Sequence, residues 1–255
     1  MAKDLFSLDG QLALITGSAA GIGYALARGL AQAGARVVLN GRDSGRLSEA
    51  AASLASDGLS VDQAPFDVTK SDQVRAAIDR VELEFGAIDI LVNNAGIQRR
   101  MPLEEFPEAD WHQIVRTNLD SIFIVSQAVV RHMIPRRRGR IINICSVQSE
   151  LGRPGIAPYA ATKGAAKMLT KGMAIDWGKY GIRVNGLGPG YFKTPLNAAL
   201  VADDTFSRWL TSRTPLGRWG EVEELVGATV FLASEASSFV TGHVLYVDGG
   251  VTAQL

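Results

Sequence analysis

Seven short apolar runs rich in Val, Ile and Leu recur along the chain, separated by longer stretches of helical spacing. The runs occupy residues 11–15, 36–39, 61–66, 88–92, 140–144, 182–187 and 243–247. Between them, residues 22–33, 45–55, 72–85, 108–132, 159–177 and 222–233 carry the period expected of helices. Strands buried on both faces read as near-continuous apolar runs, and a parallel pair needs a crossover long enough to hold a helix. Right-handed crossovers then place helices on both faces of the sheet. The expectation is therefore an α/β fold: a doubly wound, Rossmann-type, seven-stranded parallel sheet in a single domain over residues 1–255. Residues 193–219 break the rhythm with Pro195, Pro215, two Trp and scattered charges, and are expected to be an irregular insertion that acts as a substrate lid.

At 255 residues and 47% hydrophobic, the chain can bury one full-sized core. Lys plus Arg and Asp plus Glu both total 26, so no net field favours nucleic acid or an anionic membrane. The basic cluster Arg136, Arg137, Arg138 and Arg140 is broken by Gly139 and has no interleaved aromatics, and reads as a solvated turn. The lone Cys145 excludes an internal disulfide, and His112, His132 and His243 are too scattered for a metal site. No run approaches the length of a membrane span. Lys3, Asp4 and Asp9 stand where a leader would need an apolar segment. A cytoplasmic protein without metal, membrane or nucleic-acid partners is expected.

Gly17, Ser18, Ala19, Gly21, Ile22 and Gly23 follow the first strand and open the first helix. Small residues there let backbone N–H groups approach a pyrophosphate, which marks a dinucleotide site. The spacing differs from G-x-G-x-x-G, and in a glycine-rich chain its position after the first strand is what gives it weight. At the end of the second strand, where NAD-binding domains place a carboxylate on the ribose, stand Asn40 and then Arg42. A guanidinium without a neighbouring repulsive carboxylate favours NADP, while Asp43 leaves NAD open.

Tyr159 and Lys163 lie four apart at the start of a helix, on one face. A free phenol, with a pKa of about 10, is a poor base near neutrality. A neighbouring ammonium and a cationic nicotinamide stabilise negative charge on it, so that it can take a proton from an alcohol or return one to a carbonyl. Ser146 ends the fifth strand and can hold the substrate oxygen, and the Asn118 amide can bridge a water or a backbone group to Lys163. These residues converge on the carboxyl edge of the sheet, where open α/β sheets bind ligands.

With these landmarks, together with Asp67-Val68, Asn93-Asn94-Ala95-Gly96, Pro189-Gly190 and Asp248-Gly249-Gly250, the chain resembles the short-chain dehydrogenase/reductase family over nearly its whole length. The resemblance implies hydride transfer between NADP(H) and a carbonyl/alcohol pair, and a homotetramer. It further implies that Asp67 and Val68 flank the adenine, that Asn94, Ala95 and Gly96 support the cofactor, and that Pro189, Gly190 and Thr194 line the nicotinamide side. Residues 94–100, 144–153, 189–194 and 213–220 resemble the branch of that family that interconverts D-gluconate and 5-keto-D-gluconate. A sugar acid needs charged and amide side chains around the reacting carbon, and Gln98, Arg99, Gln148, Glu150, Arg153 and Tyr191 are the candidates, with Arg100 of the same type. Arg99 and Arg100 read equally well as solvent-facing. Reduction of a 3-oxoacyl thioester or another polyol shares the same catalytic set, and a non-catalytic NADP sensor is the reading from another class.

Overall fold

The computed structural model describes residues 5–254, the Leu196 side chain excepted; Lys3 and Asp4 lie outside them. Its seven strands are β1 (Leu12–Ile15), β2 (Arg36–Gly41), β3 (Val61–Pro65), β4 (Ile88–Asn93), β5 (Gly139–Ile144), β6 (Ile182–Pro189) and β7 (Val244–Val247). All pair in parallel, in the order β3-β2-β1-β4-β5-β6-β7. The order reverses between β1 and β4, which opens a crevice at their carboxyl ends.

Two-residue periodicity divides the core between the faces of the sheet. Leu12 and Leu14 of β1 face one cluster and Ala13 and Ile15 the other. On the first face pack α3 (Ser71–Glu84), α5 (Ser121–Arg136) and α6 (Ala157–Gly178), through Ile78, Val125, Val129 and Ala166. On the second pack α1 (Gly21–Gln32), α2 (Ser44–Ser56) and α9 (Val226–Ala233), through Leu26, Leu30, Leu47 and Leu232. A register shift in β4 lets Ile88 and Ile90 face opposite clusters, and Asp89 at the shift accepts from Leu12 N at 3.1 Å.

Three segments differ from the sequence expectation, the first being the helix expected over 222–233, which opens with a 3₁₀ turn (Val222–Leu225) before α9. The helix expected over 108–132 is α4 (Glu108–Val115) and α5, joined by a π-helical turn over Arg116–Asp120. The apolar spacing runs through this turn, so the pattern could not reveal it. Residues 193–219, expected to be irregular, contain a 3₁₀ turn (Pro195–Asn197), α7 (Ala198–Val201) and α8 (Asp204–Arg213). Asp203 starts α8 by accepting from Thr205 N and Phe206 N at 2.9 and 3.1 Å. Among the described residues, no helix is long and apolar enough to cross a membrane, and no cluster of His, Cys, Asp and Glu could hold a metal ion.

Candidate active site

The crevice at the β1/β4 switch point is a cleft of about 530 Å³, lined in part by Gly17, Ala20, Gly21, Ile22, Gly23, Asn40 and Arg42. Its floor is built so that the glycine turn and β4 meet closely. Thr16 Oγ1 accepts from Asn94 N and Ala95 N at 2.9 and 3.1 Å, and Asn94 Nδ2 donates to the carbonyls of Thr16 and Gly17, both at 2.9 Å. Gly17 has φ +62°, and a Cβ there would stand 2.9 Å from Ala95 Cα. A Cβ on Gly23 would lie 2.4 Å from Asn94 Nδ2 and 2.5 Å from the Gly17 carbonyl. Helix α1 begins at this turn with no side-chain cap at Ala20 and no acidic residue in its first turn. Its first N–H groups and the positive end of its dipole are therefore left for an anion, as a pyrophosphate requires.

Ser18 and Ala19 do not line the cleft. Ser18 is buried between the tips of β1 and β2: its hydroxyl donates to Ile15 O at 2.8 Å, and its N–H donates to Asn40 O at 2.9 Å. That N–H is spent within the protein, so Ser18 braces the turn. Ala19 packs on the second core cluster, and Ala20 takes its place at the cleft. Asn40 borders the cleft, but its side chain is committed inward. Oδ1 accepts from Gly17 N at 3.3 Å, while Nδ2 donates to the Ala64 and Phe66 carbonyls, both at 3.1 Å.

Beyond the carboxyl ends of β2 and β3, Arg42, Arg46, Asp67, Val68 and Thr69 line the cleft. Asp43 caps α2, accepting from Arg46 N at 3.1 Å, and its other oxygen lies 3.7 Å from Arg46 Nε. The carboxylate that left NAD open is thus held at the helix start, beside Arg46. Arg46 was not among the sequence candidates; its only signal was a second basic residue four beyond Arg42 across a helix start.

Tyr159 stands where the cleft meets a smaller cavity of about 100 Å³, the two sharing Ile22, Ile144, Tyr159 and Thr194. Pro158 opens α6 within its first turn, where a missing N–H costs nothing. One turn on, Lys163 is buried: Nζ donates to Ile144 O at 2.6 Å and lies 5.6 Å from the Tyr159 ring centroid. Ser146 lines the smaller cavity and caps a short 3₁₀ turn (Val147–Ser149), accepting from Gln148 N at 3.1 Å. Ser149 locks this loop to α6 by donating to Lys163 O at 2.8 Å.

Asn118 does not line either cavity. It is buried in the π turn, where Oδ1 accepts from Ile97 N at 2.8 Å and Nδ2 donates to Ile97 O at 2.9 Å. Nδ2 also lies 3.4 Å from Thr162 Oγ1, which in turn donates to Tyr159 O at 2.7 Å. Asn118 therefore ties the loop after β4 to the helix carrying Tyr159 and Lys163. Ala95, Gly96 and Ile97 of that loop line the large cleft.

The smaller cavity gathers Gln98, Arg100, Gln148, Arg153 and Tyr191, with Pro189, Gly190, Thr194 and Asn197. Pro189 and Gly190 lie on this cavity rather than on the large cleft. Arg99 is turned away: Nε lies 3.0 Å from Asp110 Oδ1, and Nη2 donates to Gln113 Oε1 at 2.9 Å. Glu150 is also outside, accepting from Lys167 and, at 2.8 Å, from the Tyr246 hydroxyl. Arg100 takes the place expected of Arg99; after the strand end, nothing in the local pattern separates the two. Burial pushes the Tyr191 hydroxyl up, so it stays a protonated donor near neutrality. Tyr191 packs against Phe206 of α8 and against Trp219, with ring centroids 5.9 and 6.0 Å away, so α8 lies behind the Tyr191 side of the cavity.

The chain matches, over residues 17–252, the family described as enoyl-(acyl carrier protein) reductase. It is 61% identical to the gluconate 5-dehydrogenase of Gluconobacter oxydans (strain 621H), over 99% of this chain and 98% of that one. It is 53% identical to the 5-keto-D-gluconate 5-reductase of Escherichia coli (strain K12), over 98% of each. Among solved structures, a gluconate 5-dehydrogenase from Burkholderia cenocepacia J2315, in complex with NADP and tartrate, is 62% identical, covers all of both chains and superposes with a TM-score of 0.98.

Proposed function

The chain belongs to the short-chain dehydrogenase/reductase family, and we propose on that premise that it is an NADP-dependent oxidoreductase interconverting D-gluconate and 5-keto-D-gluconate. The observation that carries the chemistry is Tyr159, set between a cleft shaped for a dinucleotide and a small polar cavity, with Lys163 beneath its ring. The gluconate-acting relatives support the substrate, and the NADP in the Burkholderia structure supports the cofactor. The residues fit that cofactor: the glycine turn admits the pyrophosphate, and Arg42 and Arg46 offer two guanidinium groups to a 2′-phosphate. When bound, NADP(H) supplies or accepts the hydride at the substrate carbon.

In the reducing direction, Tyr159 Oη gives its proton to the carbonyl oxygen as that oxygen gains negative charge. Lys163, fixed by the Ile144 carbonyl, stabilises the charge left on the phenol. The Ser146 hydroxyl donates to the substrate oxygen and orients the carbonyl. Asn118 acts at one remove, fixing the loop over residues 95–97 against α6. In the oxidising direction the alcohol proton passes back to Tyr159 Oη.

Residues 193–219 act as the lid, closing α8 over the smaller cavity. The assembly is a homotetramer, for which the exposed Phe123 of α5 and Met168 and Ile175 of α6 offer apolar contact surface. The compartment is the cytoplasm.

The test is consumption of NADPH with 5-keto-D-gluconate, beside a 3-oxoacyl thioester and the Tyr159→Phe variant. Tyr159→Phe is expected to lower kcat by roughly a hundredfold to ten-thousandfold while NADPH still binds. Turnover of the thioester alone would move the substrate class. Tight NADPH binding with no turnover of any substrate would favour a sensor.

A further inference from the structure

The smaller cavity holds more positive charge and more unmet hydrogen-bonding capacity than proton transfer at Tyr159 requires. Arg100 and Arg153 both line it. The polar partners of Arg100 are neutral: Nη2 donates to Gln98 Oε1 at 3.0 Å and to Asn197 Oδ1 at 3.3 Å. Desolvation, and after it the charge of Arg153, pull the Arg100 guanidinium below its ordinary value, as two cations facing one space should. In the same wall, Arg153 Nε and Gln148 Oε1 are buried without any hydrogen-bond partner. A buried donor and a buried acceptor left unmet are both costly, so each asks for a ligand atom.

The two arginines are not equivalent. The Nη2 of Arg100 is already engaged twice, whereas the buried Nε of Arg153 has no partner, and Nε belongs to the edge from which a guanidinium grips a carboxylate with two parallel bonds. Its plane is set from the other side by Phe206 of α8, whose ring centroid is 5.0 Å from the guanidinium carbon. Phe206 is in turn wedged between Tyr191, Trp209 and Trp219.

We propose that Arg153 is the specificity-determining residue that receives the carboxylate of the substrate. Arg100 adds a second positive charge, and Gln148 Oε1 accepts from a substrate hydroxyl. Phe206 is the positioning residue, so the acid group of the substrate and the wall built by α8 meet at one guanidinium. This rests on the sugar-acid reading above and says which end of the molecule is recognised, and by what.

The experiment is steady-state reduction of 5-keto-D-gluconate at saturating NADPH by the wild type and by Arg153→Met, Arg153→Lys and Phe206→Ala, with NADPH binding followed by fluorescence. Losing a charge-assisted fork should raise the KM for the keto acid roughly tenfold to a hundredfold in Arg153→Met, with far smaller changes in kcat and NADPH affinity. Arg153→Lys, which keeps the charge without the fork, should fall between. Phe206→Ala should shift the same KM in the same direction by a smaller factor. An Arg153→Met KM within about twofold of wild type overturns the proposal. If that variant no longer binds NADPH, Arg153→Lys decides by the same criterion. A wild type that binds NADPH but leaves 5-keto-D-gluconate untouched removes the substrate reading and this proposal with it; an active wild type with unaffected variants removes the proposal alone.

Discussion

Replacing Arg42 by Ala should separate the two nicotinamide cofactors, and the structure sets the size of the effect. Arg42 and Arg46 line the adenosine end of the cleft, and Asp43 is occupied as the cap of α2. The Asp43–Arg46 pair is 3.7 Å long, with side chains 63% and 79% exposed, so water screens it and it does little to hold Arg46 back from a phosphate. A hydrogen bond to a charged group contributes about 1.5–3 kcal/mol. At about 1.4 kcal/mol per factor of ten, Arg42→Ala should lower kcat/KM for NADPH by roughly tenfold to a hundredfold. The exposure of this end favours the lower figure. NADH has no 2′-phosphate, so its kcat/KM should move far less. Adding Arg46→Ala should lower kcat/KM for NADPH again, by less than a second equal factor, because both side chains serve one phosphate. The assay is initial rate against NADPH and against NADH at fixed keto acid, repeated at rising ionic strength, which should narrow the gap in the wild type. An unchanged NADPH-to-NADH ratio in the double variant would refute this account of cofactor choice.

Two further outcomes follow from the same geometry. Asn40→Asp, a change toward the acidic residue that NAD-binding domains use, should not bring NADH activity: it removes the donor shared by the Ala64 and Phe66 carbonyls and buries a carboxylate against them. A loss on the order of 3 kcal/mol in urea unfolding is expected, with no gain in NADH turnover. The Glu150 carboxyl is held below its ordinary value, by Lys167 first and then by the Tyr246 hydroxyl. Because its folded pKa is depressed, the stabilisation is fully present above the ordinary carboxylate pKa and is lost as pH falls toward the lowered value. Glu150→Gln should therefore lower Tm near neutrality and flatten its decline over that acidic interval; parallel profiles for the two proteins would sink the reasoning.

Part of the site could be read residue by residue. Tyr159, Lys163 and Ser146 stand where strand ends and a helix start place them, and those boundaries are written in local apolar spacing. Asn118, expected inside a regular helix, sits in a π turn, and the sequence does not show this because the turn keeps the apolar rhythm of the helix around it. Ser18 is expected at the cofactor as one of the small residues whose backbone N–H groups could meet a pyrophosphate; Asn40 of β2 takes that N–H and meets the Ser18 hydroxyl. Arg46 was missed because its relevance comes from where α2 begins, which the Asp43 cap fixes.

The sequence alone determined the order of the strands, the parallel doubly wound sheet, the glycine turn under α1 and the Tyr159–Lys163 pair. Each depends on near neighbours in the chain: two-residue and helical periodicities, a turn that tolerates positive φ, a four-residue spacing on one helix. Only the tertiary structure decided which polar side chains face the smaller cavity. Arg100 enters the small cavity while Arg99 turns to α4, and Arg153 lies over the ring of Phe206, which comes from the 193–219 segment. Beyond a strand end, no periodicity fixes where a side chain points. Its direction is chosen by the partners it can satisfy, and those partners come from distant parts of the chain.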